Sequence, residues 1–250
     1  MKILLIFACL ILPIAFVIGM HNLIAHFMIP RVMRSQASRS LYFISAFIGV
    51  PIHELSHAFF AVLFRHKIDK MCLFQRESSG RLGYVQHRWN TRSLYQVIGL
   101  FFIAIAPLFG AGLVIVLSRY SFNIPIEGFH YTTQNANLVD MVKVIYSNMT
   151  ILTHSAMGQW HAFAWLIAMS LISFHCIPSR TDFNHALKGS FIVLAVISLL
   201  LVSFDVLNFQ SASSIIFVVW SVSVTMLSLV FVSSLLWWGI LLLFSSIPSR

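Results

Sequence analysis

What this chain has little of is charge. Only 9% of its 250 residues are charged and just seven are acidic, where an ordinary soluble domain carries roughly 25% charged residues. A chain so poor in ionic groups cannot cover itself with polar surface, which excludes a soluble globular domain. Cysteine is equally scarce. Cys9 and Cys176 fall in apolar stretches and Cys72 in a basic loop. No two have the spacing of zinc ligands, so neither a disulfide framework nor a cysteine metal site is expected. Internal repeats, low-complexity tracts and an appended polar domain are missing as well. The net charge of +9 does not make a nucleic-acid patch. Seven of the sixteen Lys and Arg are gathered between residues 65 and 92, with no nucleic-acid motif among them. Nucleic acid is not an expected partner.

Apolar residues fill the gap: 59% of the chain is hydrophobic and the mean hydropathy is +0.88. The expected fold is all-α, a polytopic membrane protein with about six transmembrane helices and the lipid bilayer as its solvent. Runs long enough to cross a hydrocarbon core of about 30 Å are read at about 3–20, 41–64, 96–118, 160–178, 190–209 and 214–246. The first reads as a retained anchor, with a cleaved signal peptide as the alternative; no small-x-small cleavage site follows it. Residues 21–40 read as a polar connector holding Arg31, Arg34 and Arg39. The expected organisation is an N-terminal anchor and connector (1–40), a membrane core (41–190) and C-terminal transmembrane helices (191–250). The 65–95 loop and the segments on its side hold 11 Lys and Arg against 5 on the other. The positive-inside bias therefore puts that loop in the cytoplasm and residues 119–159 outside.

Residues 49–64, GVPIHELSHAFFAVLF, place His53, Glu54 and His57 inside one of these spans. Ionisable groups in hydrocarbon cost several kcal/mol each unless they are paired, ligated or face a wet cavity. Residues four apart on a helix project from one face, about 6 Å apart along the axis. His53 and His57 can therefore grip one metal ion, and neutral imidazole nitrogen is a donor that zinc accepts. Glu54, beside the first ligand, is placed to act as general base on a water at that metal. With 11 His and with Glu only at positions 54, 77 and 127, roughly 0.006 chance H-E-x-x-H matches are expected. Composition alone does not produce the pattern. A packed helix whose polar groups satisfy one another is the alternative, and a Glu set between two His is a poor way to build it.

A catalytic zinc site needs a third protein ligand. Asp182 is the expected one. Pro178, four residues earlier, lacks an amide hydrogen and breaks or kinks its helix, freeing the next turn to reach sideways. An acid that caps a helix or pairs with Arg180 is the ordinary alternative for Asp182, and His175 is the competing ligand. Glu77 and Glu127 fall in loops on opposite sides of the membrane. His130, His154 and His161 belong to the outer segment. One geometric condition follows. His57 lies about 10 Å below the inner boundary, whereas a straight helix from Trp160 reaches that boundary near residue 180. For Asp182 to meet His57, the fourth span must start shallow or turn back after Pro178.

A histidine pair with Glu on one transmembrane helix, and an Asp after a Pro on a later one, resembles the site-2 protease family of zinc intramembrane metalloproteases. The resemblance covers about residues 41–190. It implies a three-helix metalloprotease core, with the H-E-x-x-H helix first and the Asp ligand on the third helix. GRLGYV at 80–85 is similar to the Gly-Tyr-Val stretch of the family's loop between the first two core helices. In the family that loop dips into the membrane as a β-hairpin and can pair with an unfolded substrate strand, so a short β-hairpin is expected within 66–92. The family's third-helix motif runs Asn-x-x-Pro, then Asp-Gly. Here His175 stands near the Asn position, Asp182 is one residue nearer the Pro, and Phe183 replaces the Gly. Where the second core helix often carries Gly-Pro-x-x-Asn, this chain has Ala106-Pro107-Leu108-Phe109-Gly110. The implied function is a zinc-dependent intramembrane endopeptidase with Zn2+ held by His53, His57 and Asp182 and with Glu54 catalytic. Its partner would be a membrane protein or peptide substrate, in the inner (plasma) membrane of a bacterium. The alternative is a catalytically inactive, protease-like scaffold or binding subunit with a partner subunit of its own.

Overall fold

In lipid every backbone N–H and C=O must find its partner within the protein, so a helix is the natural answer for such a chain. The computed structural model describes residues 2–122, 143, 146, 147, 149–151, 153, 154, 157–206 and 210–246. Glu127 and His130 lie outside the described residues, as do the side chains of Asp205 and Trp220. The elements are α1 (Lys2–Arg34), α2 (Gln36–Leu63), β1 (Lys67–Cys72), β2 (Tyr84–Arg88), α3 (Leu94–Ser121), α4 (Trp160–His175), α5 (Arg180–Val206) and α6 (Gln210–Ser245).

Four helical segments are long and apolar enough to cross a membrane: Pro13–Arg34, Gln36–Leu63, Leu94–Ser121 and Leu227–Ser245. α4 and residues Arg180–Val196 of α5 pass the same test together, as one span bent by 66°. The described residues thus hold four or five crossings, against about six read from hydropathy. Two local features depart from the sequence reading, and the second bears on the count. The connector expected at 21–40 is helical as far as Arg34, and α1 continues through Pro13 and Pro30. Between His21 and Met33 the only charge is Arg31, so nothing there obliges the chain to leave an apolar environment. The fourth span and the beginning of the fifth fall in the two arms of the bent pair, joined where Pro178 withholds an amide.

α2 occupies the centre, packing against α1, α3, α4, α6 and both strands. It buries a series of small side chains, among them Ser38, Ser45, Ala46, Gly49, Ala58 and Ala61, and these let its neighbours approach closely. Val32, Tyr42, Val50, Phe174, Trp238 and Leu241 form one buried cluster around its first half. Ala111, Trp165, Met169 and Ile172 form a second between α3 and α4. α3 and α5 press together at Gly189, where a Cβ would stand 2.8 Å from the Phe101 amide nitrogen. The outer faces stay apolar: Phe47 and Phe59 are each 66% exposed and Phe191 is 77% exposed. Leaving such side chains in water would forgo about 1.5–3 kcal/mol each. These faces belong against lipid.

The chain leaves α2 through Arg65, whose backbone is left-handed at φ 59°. The Arg65 N–H donates to the Val62 carbonyl and the His66 N–H to that of Ala61, a helix ending that usually employs glycine. β1 and β2 then pair antiparallel, from Lys67 opposite Arg88 to Cys72 opposite Tyr84, with an irregularity between Ile68 and Lys70. Arg88 forks onto Asp69 at that irregularity, with Nε and Nη2 each 2.7 Å from a carboxylate oxygen. The hairpin lies where the sequence places one.

Candidate metal centre

His53 and His57 stand one turn apart on α2, with their Nε2 atoms 2.9 Å from each other. Asp182, in the first turn of α5, sets Oδ2 3.7 Å from His53 Nε2 and Oδ1 3.5 Å from His57 Nε2. One donor atom from each residue lies within 4.8 Å of the other two, so the group could hold a metal ion. Among the described residues it is the one group of three that meets this condition.

The donors themselves fit a cation. His53 Nδ1 donates to the His175 carbonyl at 2.9 Å, and His57 Nδ1 to the Ile103 carbonyl at 2.7 Å. A carbonyl can only accept, so each Nδ1 carries the hydrogen and each neutral ring presents a lone pair at Nε2. Two lone pairs 2.9 Å apart repel unless a cation or a proton lies between them. Tetrahedral ligation at about 2.0–2.1 Å would hold ligand atoms roughly 3.3 Å apart. That value falls inside the 2.9–3.7 Å spread found here.

Helix breaks supply both acceptors. In an unbroken α3 the Ile103 carbonyl would accept from residue 107, but position 107 is a proline inside the helix and has no N–H. The freed carbonyl takes His57 instead. At the end of α4 the His175 carbonyl would have accepted from Ser179. The Ser179 N–H donates to Asp182 Oδ2 at 2.8 Å instead, leaving the carbonyl to His53. Ser179 Oγ also donates to Oδ2 at 2.7 Å and accepts the Asp182 N–H at 3.3 Å, the reciprocal exchange of a capping box. One interruption therefore frees an acceptor for His53 and fixes the third donor. Asn22 clamps this turn from α1, its Nδ2 donating to the Pro178 carbonyl at 3.0 Å.

Asp182 thus caps α5 while its carboxylate faces the imidazoles. It meets His57 through the turn after α4. His175 serves the group through its carbonyl, not its ring, for its Nε2 lies 2.9 Å from Ser45 Oγ. Glu54 is buried beside the two histidines, at 7% exposure. The hairpin roofs it: a Cβ at Gly83 would lie 2.8 Å from Glu54 Oε1, so a larger residue there would displace the carboxylate. A cavity of about 850 Å3 opens around Glu54 and the three donors. Glu77 lies away from it on the exposed stretch of the hairpin, accepting from Gln75 and Ser79.

Several residues of this cavity have no motif to announce them. His21 and Asn22 reach it from α1 and Trp238 from α6. The signal for the first two was their place in a stretch with almost no charge. Pro107 was visible as a proline within a span, but its effect depends on a carbonyl four residues back.

Fold and site together define a helical protein with segments long and apolar enough to cross a membrane and a His-His-carboxylate group that could hold a metal ion. No family model, curated protein or solved structure matches this chain.

Proposed function

We propose that this chain is a zinc-dependent endopeptidase that cuts peptide bonds within or beside the membrane. One observation carries the reading: two imidazole Nε2 atoms and the Asp182 carboxylate converge within 4.8 Å next to a buried Glu54. Two nitrogens and one carboxylate suit zinc among the common divalent ions. His53, His57 and Asp182 would hold that ion, which when bound polarises a peptide carbonyl and acidifies a water. The His175 and Ile103 carbonyls keep the imidazoles in the tautomer that offers Nε2. Glu54 takes the proton from the attacking water and hands it to the leaving amine. The substrate segment enters unwound and lies as an extended strand along the 66–92 hairpin, whose edge offers backbone N–H and C=O groups. With Glu54→Gln, zinc content is unchanged and cleavage falls by about 10²–10⁴-fold. Equal turnover by that variant removes the mechanism.

A second reading is an inactive relative acting as a membrane scaffold or binding subunit. It is favoured by the two hydrogen bonds that tie Asp182 Oδ2 to Ser179, because these cap α5 with or without a metal. Capture experiments separate the two. An uncut membrane partner that accumulates on Glu54→Gln but not on the native chain speaks for the enzyme. Equal capture by both speaks for the scaffold.

A further inference from the structure

A second group of imidazoles stands where the hairpin meets α2 and α5. His66 follows α2, His87 lies on β2 and His185 is one turn beyond Asp182 on α5. The ring centroids of His66 and His87 are 4.9 Å apart, and those of His87 and His185 are 6.1 Å apart. Trp89 touches all three rings, at 6.1, 5.9 and 5.8 Å. His87, Trp89 and His185 line the same cavity as the metal group.

At His66, as at His53 and His57, one ring nitrogen is tied to a backbone carbonyl and the other faces a second imidazole. His66 Nε2 donates to the Gln96 carbonyl at 2.8 Å. Since a carbonyl only accepts, His66 Nδ1 carries a lone pair. It faces His87 Nδ1 at 3.0 Å. A metal-ligating histidine characteristically ties its other nitrogen to a carbonyl or carboxylate in this way. Burial disfavours the charged form of both rings, with His66 and His185 adding to the effect on His87. At neutral pH protons therefore compete little for these nitrogens.

We propose that His66 and His87 form a second, weaker cation site on the hairpin side of the cavity. The ligand class is a divalent first-row transition ion such as Ni2+, Co2+, Cu2+ or Zn2+, because imidazole nitrogen discriminates against Mg2+ and Ca2+. With only two side-chain nitrogens facing each other, water completes the coordination and the ion exchanges readily. His185 and Trp89 wall the site from α5 and from the strand end. An ion held there stands between the basic hairpin and the buried group. The proposal is independent of the peptidase reading, since it concerns other residues and needs no turnover.

The test uses the full chain in detergent or nanodiscs, stripped of metal and titrated with Ni2+ alone. Equilibrium dialysis counts the ions bound, and tryptophan fluorescence reports quenching of Trp89. Two classes of ion are expected in the native chain, with the weaker class quenching the fluorescence. His87→Gln is the primary variant, because His66 also ties the end of α2 to Gln96. It should lose the weaker class and its quenching while keeping the tighter ion. Trp89→Phe should keep both ions and lose the quenching. His53→Ala should lose the tighter ion and keep the weaker one. A native chain whose bound Ni2+ is all lost in His53→Ala, or a His87→Gln variant with native stoichiometry and quenching, overturns the proposal and leaves a hydrogen-bonded histidine pair only.

Discussion

At the scale of single residues, the geometry of the His53, His57 and Asp182 group depends on residues outside it. Pro107 withholds an N–H from the Ile103 carbonyl, and His57 Nδ1 uses that carbonyl at 2.7 Å. In Pro107→Ala a new amide competes for the acceptor, the His57 ring loses its fixed tautomer, and metal affinity falls about 10–100-fold. A competition titration against a zinc chelator reads the change, and native affinity in the variant contradicts the account. Gly83 is the second such residue. Gly83→Ala would set a methyl 2.8 Å from Glu54 Oε1, pushing the carboxylate aside. On the proposed peptidase reading, metal content should stay native while cleavage drops tenfold or more, because a displaced general base forfeits its share of the rate, about 10²–10⁴-fold when lost entirely. The histidines and Glu54 were legible in the sequence because helical spacing alone puts i and i+4 on one face. The carbonyls that orient them were not, since only tertiary packing brings residue 103 or 175 to α2.

At the scale of elements, the turn between α4 and α5 decides whether a site exists at all. Asp182 stands in the first turn of a helix that departs at 66° from the previous one, and a straight continuation would carry it past the histidines. Asn22→Ala removes the α1 clamp on the Pro178 carbonyl. The net loss should be about 1 kcal/mol, read as a lower thermal midpoint together with weaker metal retention. Unchanged values for both would show that the turn holds itself. Pro178 made this turn legible in the sequence, but the clamp was not, because residues 21–40 looked like a connector. The hairpin carries a pH dependence of its own. Burial lowers His87 from the ordinary 6.5 to about 4, helped by neighbouring His66 and His185, and lowers His66 as well. The folded chain thus favours the neutral rings while the unfolded chain takes up protons near 6.5. Stability is full above that pH and falls as the medium is acidified towards 4. His87→Gln should flatten the thermal midpoint against pH in this window, and an unchanged slope would contradict the assignment.

At the scale of the whole molecule, low charge and long apolar runs were enough to reveal a helical membrane protein. Among the described residues the candidate crossings number four, or five with the bent pair taken as one, and composition does not register the bend that joins its two apolar arms. The excess of Lys and Arg around the hairpin leads us to propose that it faces the cytoplasm. A Ser78→Cys variant should react with an impermeant thiol reagent only once the cytoplasmic face is opened; labelling of intact cells would reverse the orientation. All of this converges on whether a metal ion is clasped among the helices. The most direct measurement is tightly held metal per purified chain after exchange against a mild chelator, for the native protein and for His53→Ala, Asp182→Ala and Glu54→Gln. The account predicts about one zinc in the native chain and in Glu54→Gln, and almost none in the other two. An intact native chain free of metal, or Asp182→Ala holding as much as the native chain, would contradict it.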